Sequence, residues 1–115
     1  MSKAGMTIDL SGLYKRFSPQ ELRRKQATFA HRVGFDANKY CPEDEGTLRD
    51  SMPISSNFEA GLIIWNTPYA QMVHDLSEEH IRVVKNSNAK PQWPEYAKQE
   101  RLDDWIEFAR EIMRK

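Results

Sequence analysis

The side chains best suited to chemistry lie in one short run, His74-Asp75-Leu76-Ser77-Glu78-Glu79-His80, which holds two of the three histidines. If a helix continued through it, His74 and Glu78 would share a face. A small metal-dependent site centred on His74, Glu78 and His80 is the chemistry this run could support. The zinc signature His-Glu-x-x-His is absent, however, and no second histidine-containing cluster exists. The run reads first as a polar loop. Glu43-Asp44-Glu45-Gly46 is acidic too, but adjacent carboxylates cannot easily converge on one ion, and the spacing is not that of a calcium loop. It reads as a solvated turn, with Gly46 suited to a positive backbone dihedral.

Nucleophilic catalysis needs a base beside Ser, Thr or Cys. Cys41, the single cysteine, is ten residues from His31. On one straight helix that is about 15 Å, too far to touch. Only the tertiary fold could bring His74 to Cys41, so Cys41 reads as an inert, buried residue. The five glycines are scattered, and none makes a phosphate-cradling loop. Trp65, Trp93 and Trp105 could offer stacking faces to bases, but they fall in three separate elements and suit core or interface packing better. No enzyme, cofactor or metal is expected.

The elements around these residues alternate in kind. Met6 to Leu10 alternates weakly, as a short strand or an arm would, and Leu13 to Phe17 suits one helical turn. Ser18-Pro19-Gln20-Glu21 is a helix start, with Ser18 as cap, Pro19 in the first position and Glu21 completing a capping box. Leu22, Phe29, Ala30, Val33, Ala37 and Tyr40 follow at helical steps, diluted only by Gln26, and Pro42 stops the helix near Tyr40. A short helix is expected over Thr47 to Ser51. Met52 to Ser56 and Leu62 to Trp65 are predicted to form a hairpin. The unbroken apolar run Leu62-Ile63-Ile64-Trp65 predicts burial on both faces.

A helix is then expected to restart with Thr67 as cap and Pro68 in its first position, fading by Ser77. Ile81 to Lys85 is β-branched enough for a third strand, and Asn86 to Pro91 reads as a loop. The last helix runs from Pro94 to about Arg114, with Leu102, Trp105, Ile106, Ala109 and Ile112 on one face. The predicted fold is α+β. It is one domain over residues 1–115, with 1–17 as a candidate arm. An antiparallel sheet of about three to four strands packs with the long N-terminal helix and the C-terminal helix.

Bulk properties narrow the partners. The 115 residues carry 17 basic and 17 acidic side chains, so no whole-molecule field draws in nucleic acid or an anionic membrane. A lone cysteine excludes an intramolecular disulfide and fits a reduced compartment. No leader-like or membrane-spanning apolar run is present, which predicts a soluble product made in the cytoplasm, with no membrane partner. One local exception is the basic face of the first long helix, Arg23, Arg24, Lys25 and Arg32, a solvated face or a candidate DNA-facing surface.

The stretch from Tyr40 to Ala70 resembles the minor capsid or neck proteins of tailed bacteriophages, the head–tail joining group. The resemblance rests on Pro42, on Gly46-Thr47-Leu48-Arg49-Asp50-Ser51, on Gly61 to Asn66 with Trp65 among them, and on Pro68-Tyr69-Ala70. It resumes with Trp93 ahead of the final helix. Met72-Val73-His74-Asp75 and Pro94 depart from the pattern. The resemblance implies a non-enzymatic virion protein of mixed α/β fold. It also implies a homo-oligomeric ring at the portal–tail junction, acting in head–tail joining or tail completion beside connector and tail proteins. A basic helix facing the lumen of such a ring would touch packaged DNA without sequence preference. A cytoplasmic nucleic-acid-binding regulator using the same helix is the alternative.

Overall fold

A computed structural model of the chain describes residues 2–9, 17–42, 47–76 and 88–114. Strand β1 is Ser2–Thr7, and helix α1 is Pro19–Ala37. Ser18 is extended, and its Oγ accepts the Glu21 amide at 3.1 Å, which satisfies one of the orphan N–H groups of the first turn. A tight 3-10 turn, Asn38–Tyr40, finishes the helix. Cys41 is then extended (φ −71, ψ 130), the geometry a following proline favours.

Helix α2 is Thr47–Ser55, strand β2 Leu62–Thr67, helix α3 Ala70–Asp75 and helix α4 Trp93–Arg114. Helices α1 and α4 lie antiparallel, because their contacts run in opposite chain order. Lys25 reaches the Ile112 carbonyl at 2.8 Å, Phe29 stacks on Phe108 at 6.3 Å, and Trp105 donates to Asp36 at 2.9 Å. Arg101 donates to the Tyr40 hydroxyl at 3.1 Å near the other end.

Several expectations need correction. Met52 to Ser56 is not a strand; residues 52–55 are helical, in α2. Pro53 inside that helix has no N–H, so the Arg49 carbonyl one turn earlier loses its usual donor. The side-chain amide of Asn38 supplies it, at 3.1 Å. The helix therefore survives a proline that normally costs about 3 kcal/mol in a helix interior.

The predicted hairpin shrinks to one antiparallel bridge, Asn57 to Leu62, closing the turn. The partner of β2 is β1, antiparallel, with Ala4 opposite Trp65 and Met6 opposite Ile63. On the other edge of β2, Ser51 of α2 and Ser56 just after it stand in for a strand. The Ile64 amide donates to Ser56 Oγ at 2.9 Å and the Asn66 amide to Ser51 Oγ at 3.1 Å. Among the described residues the sheet has two strands rather than three to four. The expected strand at Ile81 to Lys85 lies outside the described residues.

The sheet also packs differently from expectation. Its main support is α2 against β2 and α3 against β1, while the two long helices pack chiefly on each other. Strand β2 buries one face, not two. Ile63, Trp65 and Thr67 point inward, whereas Leu62 is 38% exposed and Ile64 is half-buried. Finally, the helix after β2 starts at Ala70. Thr67 ends the strand, and Tyr69 occupies the cap position without a side-chain cap bond.

Gly61 makes the strand pairing possible. Its φ is +75, a left-handed value that glycine adopts without a Cβ penalty. Its carbonyl accepts from the Ile8 amide at 2.8 Å, and a Cβ there would collide with the Ile8 carbonyl.

Candidate functional site

The residues that carry the family resemblance converge on one junction, where the end of α1 meets α2, β2, α3 and the start of α4. Trp65 and Trp93 are both fully buried and meet edge to face, with centroids 5.6 Å apart at 87°. Leu48 and Ala70 are buried beside the same core. Ser51 donates to the Leu48 carbonyl at 2.7 Å while accepting from β2. Arg49 contributes its carbonyl to Asn38. Tyr69 is half-buried, Pro42 is half-buried and Pro68 is exposed. Gly46 lies outside the described residues. These side chains build the fold.

Asn38, which carries no signal in the sequence, organises this junction. Its Oδ1 accepts the Trp65 indole N–H at 2.7 Å while its amide serves Arg49. A second organiser is Asp36, 4% exposed. One carboxylate oxygen takes bonds from Trp105 and from Arg32 at 3.1 Å, and the other faces Lys39 at 3.3 Å. Burial alone would push the Asp36 carboxyl up, but the bonds from Trp105, Arg32 and Lys39 outweigh it and hold it below the ordinary carboxylate value. A signal for Asp36 did exist. Phe29, Val33 and Asp36 recur at helical steps, so an acid stands on the apolar face.

Of the metal candidate His74, Glu78 and His80, only His74 lies among the described residues. Both ring nitrogens of His74 are occupied, Nδ1 by Asp75 at 2.7 Å and Nε2 by Glu95 of α4 at 2.8 Å. Burial lowers the His74 pKa, but these two carboxylates more than reverse that, so it lies above the ordinary imidazole value. The ring also sits edge-on to Trp93 at 5.8 Å. His74 is thus a clamp between α3 and α4. Glu78 and His80 lie outside the described residues. Among the described residues no group of three or more His, Cys, Asp or Glu is placed to hold a metal. Cys41 is buried, and His31 packs instead against Phe35 and Phe58, with centroids at 4.4 and 5.2 Å.

The four basic residues of α1 do not share one free face. Arg23 and Arg24 are exposed. Lys25 is half-buried, bonded to the last turn of α4 and set over the Phe17 ring at 4.7 Å. Arg32 is tied to Asp36 and lies over Phe108 at 4.8 Å. A hollow of about 440 Å³ includes Arg24 and Lys25, with Glu21 also on its wall. A second concavity, about 410 Å³ and mostly apolar, opens between β1, α1 and α4.

The family model for minor capsid proteins matches residues 4–113. The chain belongs to the minor capsid protein family. Because the match covers both long helices, both strands and the tryptophan junction, membership extends beyond the central stretch. This minor capsid protein is a bacteriophage structural protein and a component of the virion. No curated protein and no solved structure matches the chain. Among the described residues, no helix of the minor capsid protein is long and apolar enough to cross a membrane.

Proposed function

We propose that this minor capsid protein acts without catalysis in head–tail joining or tail completion, as one copy in an oligomeric ring at the portal–tail junction. Its partners in that role are further copies of itself and the neighbouring connector and tail proteins. One observation supports an assembly role best. The motif residues Leu48, Trp65, Ala70 and Trp93 are spent on the core, while Ile54, Met72, Leu102 and Ile106 remain 85%, 62%, 42% and 41% exposed. Leu102 and Ile106 are adjacent turns of one helix face and border the apolar concavity. Contiguous apolar surface of this kind marks interaction sites.

Within such a ring, Arg23 and Arg24 would contribute most to any contact with passing DNA, because Lys25 is already engaged by α4 and Arg32 by Asp36 and the Phe108 ring. The same engagement weakens the reading as a free nucleic-acid-binding regulator, which needs a continuous basic face. Deleting the gene from its phage and imaging the particles tests the proposal. Filled heads beside separate tails are the expected result. Mature virions that lack the protein yet carry attached tails would overturn it.

A further inference from the structure

Two surfaces of opposite shape stand on elements that share no substantial contact, α2 and α4. The first is the groove of about 410 Å³ between β1, α1 and α4. Met6, Ile8, Val33, Leu102, Trp105 and Ile106 are among the apolar residues that line it. Lys98 and Arg110 bracket it on α4. Twelve positions apart, they stand about 18 Å from each other along the helix axis. The second surface is a knob. Ile54 is 85% exposed, the largest exposure among the described large apolar side chains. Pro53 beside it is exposed, as is Asp50 one turn earlier on the same face.

We propose that the α2 knob of one copy seats in the α1–α4 groove of the next. In that contact Ile54 covers Leu102 and Ile106, and Asp50 meets one of the two cations at the ends of the groove, Lys98 or Arg110. This inference rests on the ring reading and names the contact that would build it. Three features select a second copy as the occupant. The groove is apolar and the knob is apolar. The rim carries Lys98 and Arg110, the latter also paired with the exposed Glu107 at 3.3 Å, and the knob carries an acid. Helix α2 has nine residues, about 14 Å in length, and so fits between the two bracketing cations.

Knob and groove are different patches, so the contact is head-to-tail, the kind that forms a ring when the rotation closes. It is also small. A specific interface buries about 800 Å² on each partner, more than one knob supplies. The free chain therefore associates weakly, and the contact accumulates only where copies are held side by side.

A cysteine pair tests the contact. Phage carrying the full-length Ile54→Cys, Ile106→Cys double variant is purified and oxidised, and the protein is resolved without reductant. A ladder of cross-linked multimers is expected, stopping at dimers in either single variant. An oligomer recovered from disrupted particles without any ladder overturns this contact and leaves the ring standing. A protein that is monomeric in disrupted particles, with no ladder, overturns both. Cross-linking to a different virion protein overturns the second copy as occupant.

Charge reversal gives an independent readout. Asp50→Lys is expected to lower the yield of tailed particles about tenfold or more, and adding Lys98→Glu with Arg110→Glu to the same chain restores it. All these side chains are exposed, so thermal melts matching the unaltered protein show that folding is not the cause. Failure of the reversed charges to restore yield, with melts unchanged, counts against the proposed rim contact.

Discussion

The indole N–H of Trp65 donates to Oδ1 of Asn38 across 2.7 Å of fully buried space, and the other end of the same amide closes the carbonyl that Pro53 leaves open. One side chain therefore ties the end of α1 to β2 and to α2. Leaving a buried donor or acceptor unmet costs about 1–3 kcal/mol. Asn38→Ala is expected to destabilise the protein by about 2–4 kcal/mol, since it strands the Trp65 N–H and the Arg49 carbonyl together. Trp65 and Trp93 offer an internal control. Both are fully buried, but the Trp93 indole N–H has no acceptor. Trp65→Phe should therefore cost more than Trp93→Phe, by about 1–2 kcal/mol, in urea unfolding followed by circular dichroism.

That junction also explains what was legible in the sequence. Helix α1 announces itself through Ser18, Pro19, Glu21 and a stripe at helical steps, all local signals. So does α4, from Pro94 onward. The first half of helix α2, Thr47 to Ser51, is expected from the sequence, but its second half hides, because Met52-Pro53-Ile54-Ser55 alternates like a strand and contains a proline. What rescues it is Asn38, fifteen residues before Pro53 and invisible to any local pattern. The strand partner of β2 was misplaced for a similar reason. Turn residues at 57–61 suggest a hairpin, yet Gly61 receives Ile8 from the far end of the chain. The two ligands of His74 illustrate the same divide. Asp75 is adjacent and visible, whereas Glu95 is brought in by the fold.

The Asp36 carboxylate makes the acid limb of stability predictable. Its folded-state pKa is depressed below the ordinary 3.8. Its contribution is therefore present above that value and lost as pH falls through the lower folded value. Asp36→Asn should flatten the loss of stability in that window, measured by thermal melts at successive acid pH values. Asp36→Ala should cost about 1–3 kcal/mol at neutral pH, chiefly by stranding the buried Trp105 N–H. The cost stays below that of a fully buried ion pair because Arg32 and Lys39 are 42% and 51% exposed and return to water.

Gly61 holds β1 to the rest of the molecule through its left-handed backbone and its approach to Ile8. Gly61→Ala adds a left-handed penalty of about 1–2 kcal/mol and a clash with the Ile8 carbonyl. The expected result is faster amide exchange at Ile8 and along β1, with α1 and α4 little changed. Gly34→Ala is the milder comparison. Its Cβ would approach Met52 Sδ at 3.0 Å and Ile63 Cγ2 at 3.3 Å, and the flexible methionine can give way. Equal effects from the two substitutions would count against this assignment.

His74 joins α3 to α4 through two carboxylates, and its charge decides whether the clamp holds. Its folded-state pKa is raised above the ordinary 6.5. Its contribution is then fully present below about 6.5 and lost as pH rises through the folded value. Asp75 and Glu95 are 60% and 59% exposed, so solvent screens the pair and the effect on global stability is modest. The local effect is larger, because the backbone carbonyl of His74 also accepts from the Gln92 amide at 2.9 Å, immediately before α4 begins. Raising the pH should therefore loosen the start of α4 before the body of the fold, seen as a fall in the protection of the Gln92 amide after the intrinsic rise of exchange with pH is divided out. His74→Gln should abolish that pH dependence while leaving exchange in the middle of α1 unchanged. Glu95→Gln, which removes one of the two carboxylates, should move the imidazole titration to lower pH in an NMR titration.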